Sequence, residues 1–446
     1  MADIFKSYDV RGIYGGELTD ELAYKIGRAF AQYTGAKNIA VGRDNRISSP
    51  ALSEALIRGL TDSGVSIIDI GLISTPMLYF ASATLPVQGA IMVTASHNPP
   101  EYNGFKFCRK NAVPIGLTSG LAEISNLAHA SNFPSPEVRG TVSHADISST
   151  YYDMLKTYAD WGDKKFLIAT DAAHAMGALE TPLLKMLPGI TVDRALYDTL
   201  EAPGTCPHAG DPHDANTLTE LRVAVRGGGA DMGIAFDGDA DRIGFVDEEG
   251  RVVPMDLVTA LVGKALLFNH PNATILYDLR SSRSVKEAIE SAGGIAHESM
   301  VGHANIKMQM IEERALFAGE GSGHYYFALA GYKGEMGMLP AIFLMNLMAR
   351  TGKKLSTLVN EIKKYAHTGE INVHILDAKK VFERVRIHYG DGKISNLDGI
   401  KIDYPDWWFS FRASNTEPVM RLNLEANTPE LMEEKKAELL NLIKDN

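Results

Sequence analysis

Short apolar runs alternate with amphipathic helical stretches from the start of this chain, and that alternation restricts its fold more than any other feature. Residues 39–42 form one apolar run. A helix is predicted from about Pro50, with Leu52, Leu56 and Leu60 on one face. Proline at its start and Gly64 beyond its end suit that helix. Residues 65–71 and 89–94 then read as apolar strands. Neither a strand nor a helix of this kind buries its apolar side alone. Layering the two gives an α/β unit with a largely parallel sheet.

The pattern starts again twice. Residues 166–170 are a predicted strand, 175–187 a helix and 231–236 a later strand. Residues 274–277 (strand), 282–292 (helix) and 315–318 (strand) repeat the order. Segments 131–149 and 247–254 read as linkers or hairpins. No fixed short period is visible, so these are three similar domains rather than a solenoid. The C-terminal part differs: a helix at 355–365, strands at 370–376, 400–404, 408–412 and 420–425, and a closing helix from Thr428 and Pro429 to about Lys444. This predicts an α+β domain. The predicted fold class is therefore α/β, with three similar mixed α/β domains at 1–143, 144–249 and 250–357 and a C-terminal α+β domain at 358–446. A chain of 446 residues has room for them.

Charge narrows the function. Formal net charge is −11, with 55 acidic against 44 basic side chains. Such a surface repels nucleic acid. Two cysteines, Cys108 and Cys206, make neither a disulfide framework nor a zinc site by themselves. A reducing compartment fits them. No basic start leads into an apolar run, and no uninterrupted apolar stretch is long enough to span a bilayer. The expectation is a cytoplasmic protein, a monomer or weak homo-oligomer, acting on a small molecule without nucleic acid or membrane.

The strongest chemical signal is Asp237-Gly238-Asp239-Ala240-Asp241-Arg242, between apolar runs 232–236 and 243–246. In an extended loop, residues two apart point the same way. Three converging carboxylates repel one another, and a divalent cation relieves that; hard oxygen ligands favour magnesium or calcium. An EF-hand would find an acid at its twelfth position, Glu248, but needs glycine where Arg242 stands, between helices rather than strands. A solvated acidic turn is the plainer alternative.

Next comes Thr94-Ala95-Ser96-His97-Asn98-Pro99-Pro100. Ser96 follows an apolar strand, at the end where α/β sheets place ligands. The hydrolase elbow G-x-S-x-G is absent. His97 is the adjacent residue, and adjacent side chains tend to point apart. A serine with no obvious base suits carrying a phosphate beside a metal, although a loop serine often only caps a turn. Lys106 could contact phosphate or transfer a proton, although a lone lysine is usually surface.

Gly319-Glu320-Gly321-Ser322-Gly323-His324 is not a dinucleotide fingerprint. Its glycines allow close backbone approach to a ligand. Glu320 and Ser322 suit sugar hydroxyls, and His324 could shuttle a proton. A tight turn with a satisfied histidine reads equally well. Arg412-Ala413-Ser414-Asn415-Thr416-Glu417-Pro418 offers an arginine, hydroxyls and an amide, as a phosphate cradle or a polar hairpin. Residues 8–12 and 301–307 are weaker signals. Residues 43–46 read as a solvated loop, and the Trp407–Trp408 pair as strand packing.

Together these motifs resemble the α-D-phosphohexomutase family, closest to its bacterial phosphomannomutase/phosphoglucomutase branch. The family patterns T-[AG]-S-H-N-P, D-G-D-x-D-R, G-E-x-S-G-H and R-x-S-x-T-E-P match residues 94–99, 237–242, 319–324 and 412–418, in order along nearly the whole chain. The resemblance implies four domains around a central cleft. It implies a phosphoserine at Ser96 and one magnesium held by Asp237, Asp239, Asp241 and that phosphate. Arg11, Lys106 and Arg242 would surround the transferring phosphate, with Lys106 a candidate for proton transfer. Tyr8, Glu320 and Ser322 would bind substrate, and His303 and His324 would lie near the reacting sugar. Arg412, Ser414, Asn415 and Thr416 would hold the other phosphate.

The implied reaction interconverts hexose 1-phosphate and hexose 6-phosphate, of mannose or glucose or both, through a hexose 1,6-bisphosphate. Segment 325–335, Tyr-Tyr-Phe-Ala-Leu-Ala-Gly-Tyr-Lys-Gly-Glu, departs from many relatives, which are more acidic there and end in aspartate. A phosphoglucosamine mutase is the alternative, though such enzymes usually carry glycine at Asn415 and glutamine at Gly321. A metal-dependent sugar phosphatase using Ser96 would not need the cradle at 412–416. A non-catalytic phosphosugar binder would not need Ser96 and three aspartates.

Overall fold

Four sheets follow one another along the chain in the computed structural model, which describes residues 4–201, 203–374, 377–413 and 419–444. In the first, Asn38–Arg43 is the central strand, parallel to both Ser66–Leu72 and Gly89–Val93. Tyr102–Arg109 then runs antiparallel to Gly89–Val93, and Val10–Ile13 antiparallel to Tyr102–Arg109. In the second, Met232–Phe236 and Ile190–Leu196 lie parallel to Phe166–Asp171, and Ile243–Asp247 returns antiparallel to Met232–Phe236. In the third, Ile295–Ser299 and Phe317–Gly319 lie parallel to Thr274–Asp278, and Tyr325–Leu329 returns antiparallel. Each of these sheets is mixed, paired parallel toward one edge and antiparallel toward the other, where the sequence pattern predicted largely parallel ones.

The fourth sheet pairs its strands antiparallel throughout its described residues and carries the helices Ala378–His388 and Pro429–Lys444. Trp407 and Trp408 lie buried in its strand Trp407–Ala413, as packing residues. Of the predicted strand 370–376, Ile371–His374 is a strand and residues 375 and 376 lie outside the described residues; the helix at 355–365 stops at Ile362. Segment 131–149, read as a linker, contains the edge strand Val142–His144.

Several helices escaped the sequence pattern. Thr75–Thr84, Met255–Leu267 and Leu339–Thr351 are buried on nearly every side. A helix that is apolar all round has no polar stripe, so its period does not show. They belong to one continuous core that runs through the first three sheets, from Ala40 to Ile362. The last sheet keeps a separate core around Trp407, Phe409, Leu422 and Leu439.

One topological relation places the site. In each of the first three sheets, the loop that joins a parallel strand to its antiparallel return carries a motif. These loops are residues 94–101, 237–242 and 320–324. An isolated antiparallel bridge, Arg242 with His324, joins the second loop to the third.

Candidate active site

Residues 237–242 are a hairpin turn between Met232–Phe236 and Ile243–Asp247. The turn is tight rather than extended as the spacing argument assumed. Ala240 N–H donates to the Asp237 carbonyl at 3.1 Å, and Ala240 is left-handed with φ 61°. The three carboxylates converge all the same, with oxygen atoms within 4.8 Å of one another. All three are buried. Strand flanks rule out an EF-hand, and Glu248 is turned away to accept from Ser356 N–H at 3.1 Å.

This donor set fits a hard divalent cation. Oδ1 of Asp239 and Oδ1 of Asp241 are buried without a hydrogen-bond partner. Burial, then Asp239 and Asp241, push the Asp237 carboxyl well above the usual carboxylate range. Positive charge is what such a cluster lacks. Lys106 supplies part of it, its ammonium reaching Asp239 Oδ2 at 2.6 Å and Asp241 Oδ2. Burial opposes charge on this amine, but Asp239 and Asp241 outweigh burial and raise its pKa. Thr75, at the start of the buried helix Thr75–Thr84, donates its hydroxyl to Asp239 Oδ2 at 2.6 Å and its N–H to the Asp239 carbonyl at 2.9 Å. Nothing in the sequence pattern marked Thr75.

Ser96 sits in the first loop, buried, and its hydroxyl donates to Asp237 Oδ2 at 2.8 Å. Its backbone is left-handed, φ 53°. That conformation undoes the alternation of side chains, so His97 Nδ1 comes within 3.3 Å of Ser96 Oγ instead of pointing away. His97 is still a poor base. Burial, then Arg242 and Arg11, lower its pKa to about 2. Arg11 is bound to Asp9 Oδ2 and Asn98 Oδ1, at 2.8 and 2.6 Å. Residues 43–46 are not a solvated loop: Asp44 is buried and the Arg46 guanidinium points into residues 96–102.

His324 lies beside this centre. Its Nε2 accepts from Arg242 Nε at 3.1 Å, which leaves the proton on Nδ1. Nδ1 faces Asp241 Oδ1 at 3.6 Å and Glu335 Oε1 at 3.8 Å. Burial, then Arg242 and Lys106, keep the ring neutral. The His303 ring packs on Tyr8 at 4.9 Å between centroids and lies 6.5 Å from the His324 ring. Glu335, at the end of segment 325–335, ends in a buried ion pair with Lys307 at 2.5 Å. Lys307 Nζ also stands 4.0 Å above the Tyr79 ring.

Glu320 already has partners: Gly302 N–H donates to Oε1 and the Tyr326 hydroxyl to Oε2, at 3.2 and 2.9 Å. Ser322 Oγ is buried and unpartnered. Arg280, missed in the sequence, links Asp278, Glu320 and Glu370 at 2.7, 3.5 and 3.4 Å. Burial and then Arg280 lower the pKa of Arg412, and one Arg412 terminal nitrogen is buried without a hydrogen-bond partner. Glu370 Oε2 lies between the two guanidiniums, 3.4 Å from Arg280 and 3.8 Å from Arg412. Ser414, Asn415 and Thr416 lie outside the described residues. The structure thus gathers Ser96, Lys106, Arg11, Arg242, His324 and the three aspartates at one centre, with Tyr8, His303, Glu320, Ser322 and Arg412 on its flank toward the last sheet.

Known proteins match this arrangement along its length. Four family models match in order: phosphoglucomutase/phosphomannomutase alpha/beta/alpha domain I over residues 2–134, domain II over 149–250, domain III over 254–365 and the C-terminal domain over 370–442. A phosphomannomutase of Methanocaldococcus jannaschii is 39% identical, over 99% of this chain and 97% of its own. A phosphomannomutase of Escherichia coli is 38% identical, over 99% of each chain. A crystal structure of a phosphoglucomutase/phosphomannomutase family protein from Burkholderia thailandensis superposes with a TM-score of 0.90 at 29% identity, covering 99% of this chain and 97% of that one.

Proposed function

The chain belongs to the phosphoglucomutase/phosphomannomutase family, and on that premise we propose that it moves phosphate between the 1- and 6-positions of mannose, glucose or both through a phosphoserine at Ser96. It is an isomerase, a phosphohexose mutase. The observation that carries the finer reading is the Ser96 hydroxyl 2.8 Å from Asp237, inside a cluster of three buried aspartates and flanked by Lys106, Arg11 and Arg242.

In this reading phosphoserine 96 gives its phosphoryl group to the free hydroxyl of a hexose monophosphate: the Oγ–P bond breaks, the sugar O–P bond forms, and the proton the hydroxyl loses is balanced by the one Ser96 Oγ gains. The bisphosphate turns within the site, and its other phosphate returns to Ser96 Oγ. Asp237, Asp239 and Asp241 would hold one magnesium ion, which would supply positive charge to offset that of the phosphoryl oxygens. Arg11 and Arg242 neutralise the transferring group, and Lys106, held as the ammonium by Asp239 and Asp241, is the candidate for handing a proton to Ser96 Oγ as the hydroxyl gives one up. Arg242 leaves His324 Nε2 when it turns to phosphate, which frees that nitrogen to face the sugar. Arg412 and Arg280 receive the phosphate that is not reacting, and Tyr8, Glu320, Ser322 and His303 lie along the path between. Residues 414–416 complete that phosphate site in the proposal. The proposed setting is the cytoplasm; among the described residues no helix is long and apolar enough to cross a membrane.

The test is a coupled assay with magnesium and a trace of hexose 1,6-bisphosphate, offering mannose 1-phosphate and glucose 1-phosphate separately. Wild type is expected to form the 6-phosphate, and Ser96→Ala to lose at least about a thousandfold of that rate. A Ser96→Ala protein as active as wild type would sink the phosphoserine.

A further inference from the structure

The Ser96 loop has an unusual support. Its chain turns back on itself over residues 96–102, so that four carbonyls point inward toward one spot. Arg46 fills that spot. One terminal nitrogen donates to the carbonyls of Ser96 and Asn98, at 2.7 and 2.6 Å. The other donates to those of Pro99 and Tyr102, at 2.7 and 2.9 Å. Nε faces Asp44 Oδ2 at 3.3 Å, and Asp44 Oδ1 accepts from the Arg46 N–H at 3.0 Å. Asp44 is itself buried, so the guanidinium is aimed by a fixed anchor.

Packing on that side is incomplete, with Pro100 set against Gly204. A cavity of about 400 Å³ lies against it, walled by Arg46, Ile47, His97, Pro100, Cys206 and His208 among others. On its other side the Ser96 carbonyl abuts Gly238, between two of the clustered aspartates. The carbonyl that Arg46 grips is therefore the one that sets the distance from Ser96 to Asp237. Only a planar guanidinium offers enough donors in one plane for four converging carbonyls; an ammonium has three, set tetrahedrally.

We propose that Arg46 is a positioning residue for Ser96: it holds the left-handed turn that aims Oγ at the aspartate cluster, acting through the backbone and touching neither substrate nor metal. This rests on Ser96 being the phosphoryl carrier.

The test compares the full chain with Arg46→Lys and Arg46→Ala. Arg46→Lys keeps the charge and the fold, so its thermal midpoint stays near that of wild type. Its kcat is expected to fall about 100-fold, with KM changed less than about threefold, as for a misplaced reacting group. Millimolar guanidinium ion is expected to restore about tenfold of the lost kcat to Arg46→Ala. Wild-type kcat in Arg46→Lys, or a loss confined to KM, would overturn the proposal. So would loss of activity in step with thermal stability and no rescue by guanidinium. Should wild type itself show no mutase turnover, the phosphoserine reading fails, and amide exchange of residues 96–102 decides separately: faster exchange in Arg46→Lys supports the clamp, unchanged exchange removes it.

Discussion

Gly238 lies so close to Ser96 that a Cβ built on it would fall 2.1 Å from the Ser96 carbonyl oxygen. The two loops that meet at the site therefore touch backbone to backbone. Gly238→Ala must push them apart and lengthen the contact from Ser96 to Asp237. The expected outcome is a fall in kcat of about 100-fold and a loss of about 1–3 kcal/mol in stability from overpacking. Steady-state kinetics and urea unfolding measure both.

The aspartate cluster predicts a metal requirement with a definite pH dependence. Chelation with EDTA is expected to abolish turnover and magnesium to restore it. Because burial, Asp239 and Asp241 push the Asp237 pKa up, protons compete with the cation, and magnesium affinity falls as pH drops. Asp237→Asn removes one anionic ligand and raises the magnesium Kd about tenfold or more. Calorimetric titration at two pH values checks each statement.

Lys307 and Glu335 form a fully buried ion pair, 2.5 Å apart, beneath His324. Removing one partner leaves a buried charge unpaired. Lys307→Met is expected to cost about 3–5 kcal/mol, and Lys307→Met with Glu335→Met together much less than the sum of the single changes. A double-mutant cycle by urea unfolding reads the coupling, and additive losses would count against it.

Glu180 is a second buried acid, away from the metal cluster. Ser74 donates to its Oε1 at 2.6 Å, while Oε2 and the nearby Tyr151 hydroxyl have no hydrogen-bond partner. Burial raises its pKa from 4.5 to about 7. The folded state therefore binds a proton more tightly than the unfolded state. Its contribution is fully present below pH 4.5 and is lost as pH rises through about 7, by up to about 3 kcal/mol. Glu180→Gln removes this dependence. Its stability relative to wild type should grow between pH 5 and pH 8, and a constant difference would refute the assignment.

Much of the architecture was legible because it depends on short-range patterns. The strands 166–170, 232–236 and 274–277 are short apolar runs between turn residues, and the hairpin carrying three aspartates stands out between the runs 232–236 and 243–246. The helices around Met77, Leu261 and Leu344 were not legible, because burial on all sides erases their period. Arg46 was read as solvated for a related reason: a charged loop looks alike whether it faces water or four carbonyls. His97 was expected to point away from Ser96, and the left-handed φ of Ser96 reversed that.

Motif and periodicity are properties of neighbouring residues, so they fix which chemical groups are available and on which strand ends those groups stand. Tertiary structure alone decided that three loops, each at a change from parallel to antiparallel pairing, meet at one point. It also decided the charge states there. Burial raises the free energy of every ionised group, and only the packed arrangement settles which partner offsets it: Lys106 beside Asp239 and Asp241, Lys307 beside Glu335, and for Glu180 the Ser74 hydroxyl, with no cation paired to it among the described residues.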